Sequence, residues 1–193
     1  MFGVFVPWQK GLDFFDALLL LPYAFLSLLF VSPAVIDSCF AGGRRISVDG
    51  LMRGIIYGWL WGLGLLILGL ITVNLTAIRG PVMLPARPLL LSALVLSLLG
   101  CVFVAAISAW VALRSRSATS GKQAMRILFL VVLCALLFVP RLLSRDSQEQ
   151  LTLLLIPDRL ARATLFVAPA LTLLDALVLA AVLKRGNRDT LAR

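Results

Sequence analysis

Asp175 is the one acidic or basic residue set deep inside an apolar run of this chain, midway along Leu171-Thr172-Leu173-Leu174-Asp175-Ala176-Leu177. A carboxyl at that depth costs about 2.5–3.5 kcal/mol on insertion scales, so it is expected to face a polar cavity or a partner rather than lipid. Two chemistries fit it: contact with a substrate or a proton, or a hydrogen bond to a neighbouring helix, through Thr172 or a basic residue of another subunit. Little else in the sequence offers reactive groups. There is no histidine, which removes histidine metal sites, Ser-His-Asp triads and imidazole relays. Gly121-Lys122 is followed by Gln123 and lacks the upstream glycine of a phosphate-cradling P-loop, and no Gly-x-Ser-x-Gly elbow occurs. Cys39, Cys101 and Cys134 lie far apart, the last two within apolar runs, and are expected to be small buried hydrophobes. No catalytic residue, cofactor or metal site is expected, and the chain is not expected to be an enzyme.

The other polar chemistry collects in the seam Asp37-Ser38-Cys39-Phe40-Ala41-Gly42-Gly43-Arg44-Arg45-Ile46-Ser47-Val48-Asp49-Gly50-Leu51-Met52-Arg53. Its three arginines mark it as cytoplasmic under the positive-inside rule. It runs directly into Gly54, Gly58 and Gly62, whose four-residue spacing puts them on one helical face where another helix backbone can come close. That face is either tight packing inside one subunit or a seam between two. A charged elbow joined to a packing helix has the form of a transmission element.

The elements that must position these residues are membrane spans. With 61% hydrophobic and 14% charged residues, the chain is far more apolar and less charged than a soluble domain. An apolar run of about 20 residues crosses a hydrocarbon core of about 30 Å. Five such runs are read here, at about 15–36, 54–77, 89–113, 127–143 and 163–183, giving an all-α polytopic membrane protein with a single transmembrane domain. Residues 1–16 mix Phe2, Phe5, Trp8, Phe14 and Phe15 with Lys10, Asp13 and Asp16, as an interfacial segment does. They lack the features of a signal peptide and are read as part of the mature chain. Pro22 and Pro33 are expected to kink span one, and Tyr57, Trp59 and Trp61 to lie near the cytosolic end of span two. Three prolines make 79–88 a tight connection. The loop 114–126, with Arg114, Arg116, Lys122, Arg126 and no acid, is the strongest positive-inside signal. Span four is short enough to need snorkelling arginines or local thinning. Within 144–162 the run Leu151-Thr152-Leu153-Leu154-Leu155-Ile156, closed by Pro157, is too short to cross, and reads as a re-entrant or interfacial turn. Gly186 is expected to stop the last helix, and Asn74-Leu75-Thr76 matches a glycosylation pattern by chance, since it abuts the membrane.

Five spans with the seam inside put the amino terminus outside and the carboxyl terminus in the cytoplasm of an inner membrane. The 18 Lys and Arg divide into eleven inside and seven outside in that orientation, the sense the positive-inside rule requires. A net charge of +9 made of loop residues beside spans points to anionic lipid rather than nucleic acid, because no basic stripe is interleaved with stacking aromatics.

The stretches Ser32-Pro33-Ala34-Val35-Ile36-Asp37-Ser38-Cys39-Phe40-Ala41-Gly42-Gly43-Arg44-Arg45 and Arg114-Ser115-Arg116-Ser117-Ala118-Thr119-Ser120-Gly121-Lys122-Gln123-Ala124, followed by the turn before Ala163, come in a telling order. In that order of parts the chain resembles the later half of an ABC-2 type transporter permease. Gly43 and Ile46-Ser47-Val48-Asp49-Gly50-Leu51-Met52-Arg53 stand where that family has an acidic residue and a Leu-rich, Pro-ended coupling segment, and the family's first span and extracellular domain have no counterpart unless Met1 to Asp16 is their remnant. The resemblance therefore implies a half-permease or accessory subunit of an exporter. It implies a separate ATP-binding cassette subunit, a second membrane subunit in a homo- or heterodimer, and coupling through Arg44, Arg45, Asp49 and Arg53. The alternative expectation is a non-transporting structural or assembly subunit of a larger membrane complex.

Overall fold

The computed structural model describes residues 20, 24–43, 46–76, 84–142, 147, 150, 153 and 156–191, and among them long apolar runs form five extended α-helices. They are α1 (Ser27–Ala41), α2 (Val48–Thr76), α3 (Arg87–Arg114), α4 (Ala118–Leu142) and α5 (Pro157–Leu191). No strand occurs among the described residues. The fold is all-α, as expected. Three stretches, Val48–Leu75, Arg87–Arg114 and Asp158–Lys184, are long and apolar enough to cross a membrane, and Ser27–Ala41 is a shorter apolar helix.

Local chemistry moves several boundaries away from those read in the sequence. The seam is mostly helical: α1 continues through Asp37 to Ala41 and α2 starts at Val48, and Gly42, Gly43, Ile46 and Ser47 are the described residues of the elbow between them. Gly43 has a φ of 70°, open to glycine without steric cost, and its N–H donates to the Phe40 carbonyl at 3.2 Å. The Ser47 hydroxyl accepts the Gly50 N–H at 3.0 Å and so caps α2. Ser117 does the same for α4, accepting the Ser120 N–H at 3.2 Å, which reduces the basic loop to residues 115–117 and places Lys122 and Arg126 on a helix. Pro157 opens α5 six residues before the expected start at 163, in a first turn where its missing N–H is not needed.

At its far end α5 runs on to Leu191 through Gly186, against the expected stop. One interior glycine costs only about 1 kcal/mol relative to alanine, and no proline follows it. Pro33 lies inside α1 and Pro169 inside α5, each removing one helical hydrogen bond. The interfacial reading of residues 1–16, Pro22, and most of the apolar run 151–156 read as a re-entrant or interfacial turn fall outside the described residues.

Two clusters of buried side chains fix how the helices run. One joins Ile36 and Cys39 of α1, Leu51 and Ile55 of α2, Ala109 and Ala112 of α3, Met125 of α4 and Val182 of α5. The other joins Leu20 to Leu66 and Val73 of α2 and Leu89 of α3, with Leu160 of α5 against it. α1, α3 and α5 thus enter the first cluster with their C-terminal halves and α2 and α4 with their N-terminal halves, so consecutive helices alternate in direction. Arg53, Arg114, Arg116, Lys122, Arg126 and Lys184 all belong to the end of the bundle marked by the first cluster, and the elbow sits there too.

The glycine ladder packs within the chain. A β-carbon on Gly54 would overlap Val35 Cγ2, one on Gly58 would overlap Val31 Cγ2 and lie 2.8 Å from its backbone nitrogen, and one on Gly62 would overlap Ser27 and lie 2.9 Å from its Cα. Gly50 extends the ladder, with a β-carbon 2.7 Å from the Ser38 hydroxyl. Glycines four residues apart on α2 therefore meet Ser27, Val31, Val35 and Ser38 of α1, and two backbones come close where no side chain intervenes. Replacing Gly58 with Ala should lower stability by about 1–3 kcal/mol through overpacking against the Val31 backbone, with the assembly state unchanged. Thermal melting in detergent, read beside light scattering, checks both parts.

Candidate functional site

The residues singled out in the sequence fall in three places. Asp49 and Arg53 sit one turn apart at the start of α2 and pair at 2.7 Å, both side chains largely in the open. Val48 and Met52 are exposed beside them, so the first two turns of α2 present a mixed apolar and charged face at the elbow. Arg44 and Arg45 lie outside the described residues. Gly54, Gly58 and Gly62 line the α1–α2 contact. Asp175 belongs to α5, whose main partner is α3, and is not brought together with the elbow or the glycines.

Charge also ties the elbow end together in a way no local spacing reveals. Lys122 on the first turns of α4 reaches Asp37 near the end of α1, with Nζ 2.7 Å from Oδ1 and 2.8 Å from Oδ2. Gly121 beside it allows α4 to come close to Ile36 and Ser115. Arg114 lies 4.1 Å over the ring of Trp110, so both ends of the 115–117 turn carry a cation that already has a partner.

Deeper in the bundle the polar side chains pair off in a short series across α1, α2 and α3. Trp59 donates its indole N–H to the Ser97 hydroxyl at 3.3 Å, and Ser97 donates to its own helix at the Leu94 carbonyl, 3.0 Å away. The Cys101 thiol lies 3.5 Å from the Ser27 hydroxyl, which donates to the Ala24 carbonyl at 2.9 Å. Between these pairs Ser27, Trp59, Gly62, Leu66, Leu94 and Ser97 leave a gap of about 10 Å³. That is at the lower limit for one water molecule, and the gap holds no substrate. The aromatic residues expected at the interface divide: Trp59 turns inward, whereas Tyr57 and Trp61 face outward, Trp61 stacked on Phe30 with ring centroids 5.8 Å apart.

Two buried polar groups have no hydrogen-bond partner among the described residues, the Ser108 hydroxyl and both carboxylate oxygens of Asp175. Thr172, expected as a partner for Asp175, donates instead to the Ala168 carbonyl at 2.8 Å and is exposed. Of the cysteines, Cys39 and Cys101 are buried as expected, but Cys134 faces outward on α4. Asn74 donates its side-chain amide to the Leu70 carbonyl at 2.9 Å from within α2.

The Asp37–Lys122 pair and the Trp59–Ser97 bond are the contacts that sequence reading missed. The only signal for the first was two opposite charges on one side of the membrane, 85 residues apart. Compared with protein-family models, curated proteins and solved structures, the chain has no match. Because Lys122 and Asp37 are both partly solvated, breaking their pair by Lys122→Ala should cost about 0.2–1 kcal/mol. A double-mutant cycle with Asp37→Ala, followed by chemical denaturation in detergent, should recover a coupling energy of that size.

Proposed function

We propose that this chain is a membrane-spanning, permease-type subunit of an ABC exporter, driven by ATP hydrolysis on a separate ATPase chain. The observation that carries this reading is the elbow. It joins two helices held backbone to backbone by glycine, and it presents Val48, Asp49, Met52 and Arg53 at the basic end of the bundle. A load applied at such an elbow moves α1 and α2 as one body, since neither can slide past the other without overlap along the ladder. The resemblance in order of parts to ABC-2 permeases supports the same assignment. In this reading the elbow and the carboxyl terminus are cytoplasmic, the amino terminus is outside, and the membrane is the inner membrane. Arg44, Arg45, Asp49 and Arg53 meet the ATPase.

The small gap between α1, α2 and α3 bears on the route. Because this centre is filled, the substrate path in our proposal runs between this chain and a second membrane subunit, either another copy or a related chain. The same filled centre favours a second reading, in which the chain is a structural or assembly subunit and carries no substrate.

Expression with the genes that neighbour it, followed by purification in mild detergent, should bring down an ATPase subunit, and Arg53→Glu should release it while Arg53→Lys retains it. A monodisperse chain recovered without an ATPase contradicts the exporter assignment. A membrane partner recovered without an ATPase supports the structural reading.

A further inference from the structure

Asp175 stands apart from every other acid described here. The residue is 3% exposed, and neither carboxylate oxygen has a hydrogen-bond partner among the described residues. Leu160, Thr164, Ala168, Leu171, Asp175, Val178 and Val182 are sheltered positions of α5 at three- and four-residue spacing, whereas Leu165, Phe166, Leu173 and Leu177 are bare. Asp175 therefore lies on the stripe by which α5 packs along α3.

Among the described residues, no countercharge reaches that stripe. On α5 the nearest basic residues are Arg162 and Lys184, about 20 Å and about 13 Å along the axis at 1.5 Å per residue. The ionisable side chains of α3 are Arg87 and Arg114 at its two ends, the second engaged by Trp110, and the Cys101 thiol, which lies against Ser27. Those described on α1, α2 and the packed part of α4, namely Asp37, Cys39, Asp49, Arg53, Tyr57, Lys122 and Arg126, belong to the elbow half of the bundle.

An ionised carboxylate buried without a cation is far costlier than the neutral acid, and a metal cation needs several oxygen ligands that this apolar stripe does not supply. A proton needs one acceptor. Helix α5 provides such acceptors repeatedly: the Thr164 and Thr172 hydroxyls each donate to the carbonyl four residues back, at 2.7 and 2.8 Å.

We propose that Asp175 is a proton-binding site of the α3–α5 seam, its carboxylate taking one proton from the aqueous phase to become the neutral acid when α5 seats on α3, and returning it when the two helices part. Loss of the proton leaves a bare charge in the seam, so seating and proton uptake are one event.

The test uses the full chain in lipid nanodiscs. Dicyclohexylcarbodiimide, an apolar reagent that attacks protonated carboxyls, should form an adduct located at Asp175 by peptide mass spectrometry, with yield falling as pH rises and no such adduct in Asp175→Asn. Thermal stability of the wild type should fall as pH rises, whereas Asp175→Asn, which mimics the neutral acid, should be stable and lack this component of the pH response. Absence of the adduct at every pH overturns the proposal, and so does the same pH profile for both proteins. An adduct that appears only after a co-purified chain is stripped away also overturns it, because a basic side chain of that partner would then hold the carboxylate.

Discussion

The backbone contact between α1 and α2 is the constraint on which the rest of this molecule depends. In lipid the apolar surface of a helix gains little by meeting another apolar surface, so association rests on close packing and on hydrogen bonds. Gly50, Gly54, Gly58 and Gly62 remove the side chains that would keep α2 away from Ser27, Val31, Val35 and Ser38. The short elbow follows from this closeness. Gly43 in the left-handed region and the Ser47 cap reverse the chain within a few residues. Helix α3 then lies across both partners, held to α2 by Trp59 and Ser97 and to α1 by Ser27 and Cys101, with Gly100 letting Leu28 and Phe25 approach.

The remaining two helices are held differently. α4 is fastened at its elbow end by Lys122, Gly121 and Met125, while Ile127, Leu130, Val131 and Phe138 farther along are each more than half exposed. α5 is seated along α3 through one stripe and leaves the rest of its surface bare. The bundle thus has a tight three-helix centre and two outer helices with large apolar faces of the kind lipid covers. Buried polar groups of the bundle are satisfied locally: Ser27, Thr72, Ser97 and Thr164 each donate to a carbonyl of their own chain three or four residues back. Ser108 and Asp175 depart from that rule.

Much of the architecture was legible in the sequence because apolar length is a strong signal. The cores of α2, α3 and α5 follow directly from it. Boundaries were less legible where charge and helix coexist. Lys122 and Arg126 read as loop residues by composition, yet Ser117 caps a helix that carries both, and Asp37 reads as seam although α1 continues four residues beyond it. For the glycine ladder, spacing identifies which face is bare but not which helix meets it, since a neighbour in the same chain and one in a second copy demand the same pattern. Only the register against Ser27, Val31 and Val35 decides that. Asp175 was visible at once as an acid in an apolar run. Its lack of a partner was not, because Thr172 three residues earlier offered a hydroxyl that in fact bonds its own helix.

The α1–α2 contact along the glycine ladder is internal to one chain. The direct measurement is a spin-label distance in bilayers between Leu29→Cys on α1 and Leu60→Cys on α2, both exposed positions, in a background where Cys39, Cys101 and Cys134 are replaced by Ala or Ser. Repeating it after dilution with unlabelled protein separates contacts within a chain from contacts between chains. A single narrow distance that persists at full modulation depth on dilution is the predicted result. A short distance that vanishes on dilution would place the glycine face against another copy and contradict the account.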